Sequence, residues 1–158
     1  MRYLTKSLVA ATALAASTLP GLAADGTVLF NASVLSTCLI TIGTPGVMTA
    51  SADYTELSSL EAGGASGTAT ILTTAAGYEV STSAPVAFVS APAGGDDSVT
   101  FASSYSASGV TSLTDVVGSV TSVLGLGLTN LDVDLTATKS AGAFPAGSYV
   151  AEVTVTCE

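Results

Sequence analysis

"SYVAEVTVTCE", residues 148–158, alternates without a break. Tyr149, Ala151, Val153, Val155 and Cys157 fall on one side of an extended chain, and Val150, Glu152, Thr154, Thr156 and Glu158 on the other. Successive side chains of a β-strand point to opposite faces, so this period reads as a strand with one apolar face. The same pattern recurs in "GTVLFNASVLSTC" (26–38), where Val28, Phe30, Ala32 and Val34 share a side, and Cys38, Ile40 and Ile42 keep that parity. Both cysteines therefore lie on the apolar faces of their strands.

The stretches between read the same way. Strands are expected at 27–35 and 38–42, with a short extended piece at Val47–Ala50 inside a loop, 44–67. Residues 68–75 and 77–84 read as a hairpin about Ala76-Gly77. An apolar piece, 86–91, follows Pro85, and "PAGGDD" (92–97) is a turn. Strands are expected at 98–107 and 129–138, a turn at 140–147, and the closing strand at 148–158. The stretch 110–128 stays open. Val110, Leu113, Val117, Val120 and Leu124 make a helical stripe, yet the Thr, Val and Gly content favours strand or loop. Short strands separated by Gly/Pro-rich turns imply an all-β fold, an antiparallel β-sandwich.

Residues 1–23 read differently. Arg2 and Lys6 give a positive start, Leu8–Leu14 is a short apolar run, Pro20 breaks it, and Gly21-Leu22-Ala23 suits a cut after Ala23. This is the pattern of a removable export signal. The remainder is then exported and oxidised, and a disulfide between Cys38 and Cys157 is the default. Without the leader, Lys139 alone faces twelve acidic residues, a formal balance of −11. A chain with one cation cannot neutralise a phosphate backbone, which excludes nucleic-acid binding, and anionic membrane surfaces repel it. No membrane insertion is expected.

The catalytic inventory is thin. The 158 residues contain no His, so the commonest general base and metal ligand is absent. A Ser–Lys dyad on Lys139 is weighed against a solvated lysine near a turn, and the latter is favoured. Asp96 with Asp97, and Asp132 with Asp134, are candidate partial Ca²⁺ ligands. No calcium-loop motif surrounds them, so solvated surface carboxylates are favoured. Asn31-Ala32-Ser33 matches a glycosylation sequon and is read as chance. The expectation is a protein that is not an enzyme and uses no cofactor or metal.

Three stretches carry a family resemblance. "GTVLFNASVLSTCLI", "ASGTATILTTAAGYEVSTSA" and "FPAGSYVAEVTVTC" resemble the N-terminus, central hairpin and closing strand of chaperone–usher pilins, of the archaic type that shares the spore coat protein U domain. The resemblance implies an immunoglobulin-like sandwich lacking its last strand. It divides the chain into a signal peptide (1–23), a donor-strand-like segment (24–37) and a pilin-like domain (38–158). It implies a structural subunit of a cell-surface fimbrium or coat. Residues 26–35 would be lent to a neighbour, with Val28, Phe30, Ala32 and Val34 as pocket fillers. The acceptor groove would lie beside the last strand, at Tyr149, Val153 and Val155. Partners would be other pilin subunits, with a periplasmic chaperone and an outer-membrane usher during assembly. One departure stands out. Where the family typically places a second cysteine, at the end of the hairpin's first strand, this chain has Thr73-Thr74. A staple from Cys38 to Cys157 is expected to pin the edges that a donor strand must separate. The alternatives are an ordinary first strand at 26–35, in a self-contained sandwich binding a glycan or Ca²⁺ in loops 44–67 and 92–97, and a low-charge protein forming cross-β matrix fibres.

Overall fold

The computed structural model describes residues 24–158, so the expected leader lies outside the described residues. The chain divides into two units, 1–32 and 33–158, and all regular structure among the described residues belongs to the second. It is all-β and antiparallel, with no helix among the described residues.

The strands among the described residues are β1 (Cys38–Ile42), β2 (Thr49–Ala50), β3 (Glu56–Ser58), β4 (Gly67–Thr73), β5 (Glu79–Ser83), β6 (Val99–Gly109), β7 (Leu113–Val117), β8 (Ser122–Val123), β9 (Gly127–Lys139) and β10 (Thr154–Cys157). The long β9 organises the larger sheet. Along one side it pairs first with β4 and then with β3, and along the other it pairs with β6, which carries β7. β1 lies outside β4, and β2 outside β3. The smaller sheet has the order β10-β5-β8. Alternation decides what each strand buries. Leu131 of β9, Ala69 and Ile71 of β4, and Tyr105 and Ala107 of β6 pack with Val80 of β5, and Leu135 and Ala137 of β9 are buried further along the same inward face.

One seam of the sandwich is joined through the backbone. The Gly118 N–H donates to the Ser103 carbonyl, and the Gly118 carbonyl accepts from the Thr82 N–H, each at 2.8 Å, so residue 118 links β6 to β5. The phenol oxygen of fully buried Tyr105 sits 2.9 Å from the Val120 carbonyl oxygen and 2.7 Å from Ser122 Oγ. A Cβ on residue 118 would collide with the hydroxyls of Ser103 and Thr82, so only glycine fits this crossing. The opposite seam, between β1 and β10, is tied by the Cys38–Cys157 disulfide, whose Cα atoms are 6.4 Å apart.

Several expectations change. Residues 27–35 form no strand, having no ladder partner among the described residues. The pieces 68–75 and 77–84 do form strands, but not a hairpin: β4 joins the larger sheet and β5 the smaller. The stretch 110–128 resolves into β7, a turn at Gly118 and β8. Loop 44–67 holds β3, which sequence reading missed, and residues 86–91 contribute only a bridge, Ser90 to Val150. The closing ladder is confined to 154–157, although the inward parity of Tyr149, Ala151, Val153, Val155 and Cys157 holds throughout.

Candidate functional site: an apolar groove along the open seam

From the disulfide, β1 and β10 separate. Between them lies a groove of about 1340 Å³. One wall is the end of β1 and the chain after it, with Ile42, Pro45, Val47 and Met48. The other is 144–155, with Phe144, Tyr149, Ala151, Val153 and Val155, and Leu57, Val133 and Leu135 form the floor. Neither wall is an interior strand. Among the described residues β1 pairs only with β4, and β10 only with β5, so the facing edges of both have no ladder partner there. Residues 151–153 lie outside any ladder.

Burial shows how deep the opening runs. On β9, Leu131 and Leu135 are buried, yet Val133 between them, on the same inward face, is only half-buried. Ile42 shares the inward parity of Cys38 and Ile40 but is 70% exposed. The buried residues accordingly fall into two clusters. One gathers Ala69, Ile71, Val80, Tyr105, Ala107, Leu124 and Leu131 near the disulfide, and the other gathers Leu57, Phe88, Ala137 and Phe144 at the far end. A sandwich of this size ordinarily has one contiguous core. Here the groove crosses the place where the two halves would meet.

The far end is built from aromatic rings. Phe88 meets Phe101 and Tyr149 at centroid distances of 4.8 and 5.0 Å, and Phe144 meets Tyr149 edge-on at 5.5 Å. The Tyr149 hydroxyl donates to the Pro145 carbonyl at 2.7 Å. Burial, helped by the nearby Asp96 carboxylate, raises the phenol's pKa above its ordinary value, because both disfavour a phenolate.

The three residues expected at the groove edge, Tyr149, Val153 and Val155, all line it, and the structure adds an opposite wall at Ile42–Ala50 that sequence reading did not name. The signal for that wall was the parity shared by Cys38, Ile40 and Ile42. Of the other expected residues, Val28, Phe30, Ala32 and Val34 carry no regular structure and are all exposed. So are Leu29 and Leu35 of the opposite parity, so neither face of the segment is covered. The segment is fastened just behind these residues. Thr74 Oγ1 donates to the Leu35 carbonyl at 2.6 Å and accepts from the Thr37 N–H at 2.8 Å, and Ser36 Oγ lies 3.1 Å from the Tyr78 hydroxyl.

The polar candidates have structural positions. Lys139 is buried, contrary to the solvated reading. Its ammonium donates to the carbonyls of Gly94 and Asp97 at 2.8 and 2.6 Å and lies over the Phe144 ring. Asp96 accepts from the Phe88 N–H at 2.9 Å. Asp134, on the outward face of β9, accepts from the hydroxyls of Ser59 and Ser66, both at 2.7 Å. Among the described residues, no group of three or more His, Cys, Asp or Glu side chains is placed to hold a metal ion. Asp53 sits in a turn where the Ser51 and Thr55 hydroxyls donate to it, which lowers its pKa.

Searched against family models, curated proteins and solved structures, the chain matches none of them.

Proposed function

We propose that this chain is a structural subunit of an exported bacterial fimbria or coat, assembled by strand donation. The segment 26–35 of one subunit lies in the groove of the next, with Val28, Phe30, Ala32 and Val34 directed at the floor and its backbone pairing with the free edge of β10. A periplasmic chaperone would occupy the groove first, and an outer-membrane usher would supervise the exchange. The observation that carries this reading is the divided core. The groove runs between its two halves, and the same chain has an exposed segment whose alternation suits an apolar face. The pilin-like stretches at 26–40, 65–84 and 144–157 support it further.

The disulfide gives the inserted strand a direction. It joins the two walls at the Cys38/Cys157 end, so the bulk of the donating subunit sits beyond the opposite, open end near Tyr54 and Pro145. Val28 then lies nearest the disulfide and Val34 nearest the opening, antiparallel to β10. In this arrangement the staple does not obstruct exchange; it marks where the groove stops.

The test is a non-reducing gel of mature protein from a bacterial periplasm, unboiled and boiled, beside a version lacking 24–35. A detergent-resistant ladder that collapses on boiling and vanishes in the truncation is expected. A single monomer band in every lane refutes the reading and leaves a self-contained sandwich whose loops become the place to look for a ligand.

A further inference from the structure

The outward face of the larger sheet is not uniform. At the disulfide end Leu39, Leu72 and Leu128 stand directly opposite one another across β1, β4 and β9. They are 56%, 39% and 50% exposed, and Val110, whose N–H donates to the Leu128 carbonyl, extends the row at 51%. The next outward row is polar: Thr41, Thr70 and Asn130. Beyond it come Thr68 with Asp132, and then Asp134 with its serines. Outward positions of a solvated sheet are normally polar, and a registered row of leucines at only one end departs from that.

The row lies beside the root of the exposed segment. Leu35 is pinned by Thr74, and Leu39 follows four positions later, a reach of at most about 13 Å in extended chain. We propose that this row is a second contact between subunits, seated against the open end of the acceptor's groove, at the rim formed by Tyr54 and Pro145–Gly147. The inference rests on the strand-donation reading. Once Val34 sits at the mouth of the groove, so short a connection brings the leucine row close to that mouth. Its occupant is a second copy of this chain. Tyr54 is itself 59% exposed, so the rim offers an aromatic face to the leucines. The contact holds the angle between successive subunits at a second point, beside the lent strand.

The experiment uses the full mature chain with a photo-crosslinking amino acid in place of Leu72, with Leu128 as a second position and Asp132 as the control. In assembled ladders, positions 72 and 128 should give inter-subunit crosslinks that map to Tyr54 or 144–147. Position 132 should give none, and Leu39→Asp should abolish those from 72 while the ladder persists. A ladder whose crosslinks from both leucine positions stay within one subunit, or map elsewhere, overturns this inference alone. Absence of any ladder from the unsubstituted protein overturns the strand-donation reading, and this contact with it.

Discussion

Phe30→Ala separates a lent strand from an ordinary first strand. The ring is 88% exposed. Truncating it should therefore change the stability of the subunit's own fold by no more than about 0.5 kcal/mol, as for surface substitutions generally. In the proposed polymer the same ring would be the largest side chain of the inserted row. Burying it contributes about 1.5–3 kcal/mol, and nearly all of that is still available because so little of the ring is covered beforehand. Loss of about 2 kcal/mol corresponds to a roughly 30-fold weaker subunit–subunit association. The assay has two arms: urea denaturation of monomeric mature protein followed by circular dichroism, and the temperature at which detergent-resistant ladders fall apart. The expected result is an unmoved urea midpoint with ladders that dissociate at distinctly lower temperature. A substitution that lowers the monomer's midpoint by a full core truncation, about 3–5 kcal/mol, would refute the reasoning. Phe30 would then be filling its own domain.

Replacing Cys38 and Cys157 by alanine opens a link between residues 119 apart in sequence. The chain-entropy model assigns a loop of that length ~5 kcal/mol, so the thermal midpoint should fall steeply, and adding reductant to the parent protein should reproduce the fall. Gly118→Ala sets a methyl against the hydroxyls of Ser103 and Thr82 at the closed seam; overpacking of this kind costs about 1–3 kcal/mol, read as a lower urea midpoint. Tyr149 gives a pH signature. Its raised pKa means that its contribution is fully present below the ordinary phenol value of 10.0 and is lost as pH rises beyond that towards the raised value. A stability–pH curve should therefore decline in alkali, and Tyr149→Phe should remove that part of the decline.

Alternation told which side chains of β1 and of 149–157 face inward. It could not tell which strands pair. Consecutive strands of a sandwich both present an apolar face to the core, whether they lie side by side in one sheet or face each other across it. The pattern around Gly77 is the same in either case, so β4 and β5 read as a hairpin when they belong to different sheets. The closed seam was illegible for a similar reason. The need for glycine at 118 arises from Thr82 and Ser103, both remote in sequence. Lys139 was readable and was misread: it continues the inward row of Leu131, Val133, Leu135 and Ala137, and its charge suggested solvent. What receives that charge, the carbonyls of Gly94 and Asp97, lies in a turn with no sequence signal for the role. The segment 27–35 shows the limit from the other side. Its alternation is a statement about a face that suits burial, and the strand expected there has no ladder partner among the described residues.

The divided core also accounts for where the disulfide lies. A sandwich whose facing edges are unpaired loses the cross-strand bonds and side-chain contacts that would hold its sheets together along that seam. The opposite seam is held through Gly118 and Tyr105, but a fold joined along one seam can open like a book. Cys38 and Cys157 close the second seam at one point, and because they stand at its end the remainder is left open as the groove. A link midway, at the level of Ile42 and Val153, would hold the sheets as well but would block the groove. In the proposed polymer the staple therefore serves the empty subunit most. Once a donor strand spans the gap and joins the two halves of the core, the sheets are held by its backbone bonds and buried side chains. Reduction should accordingly destabilise unassembled subunits far more than assembled ones, and equal sensitivity of the two would mean that no strand fills the groove.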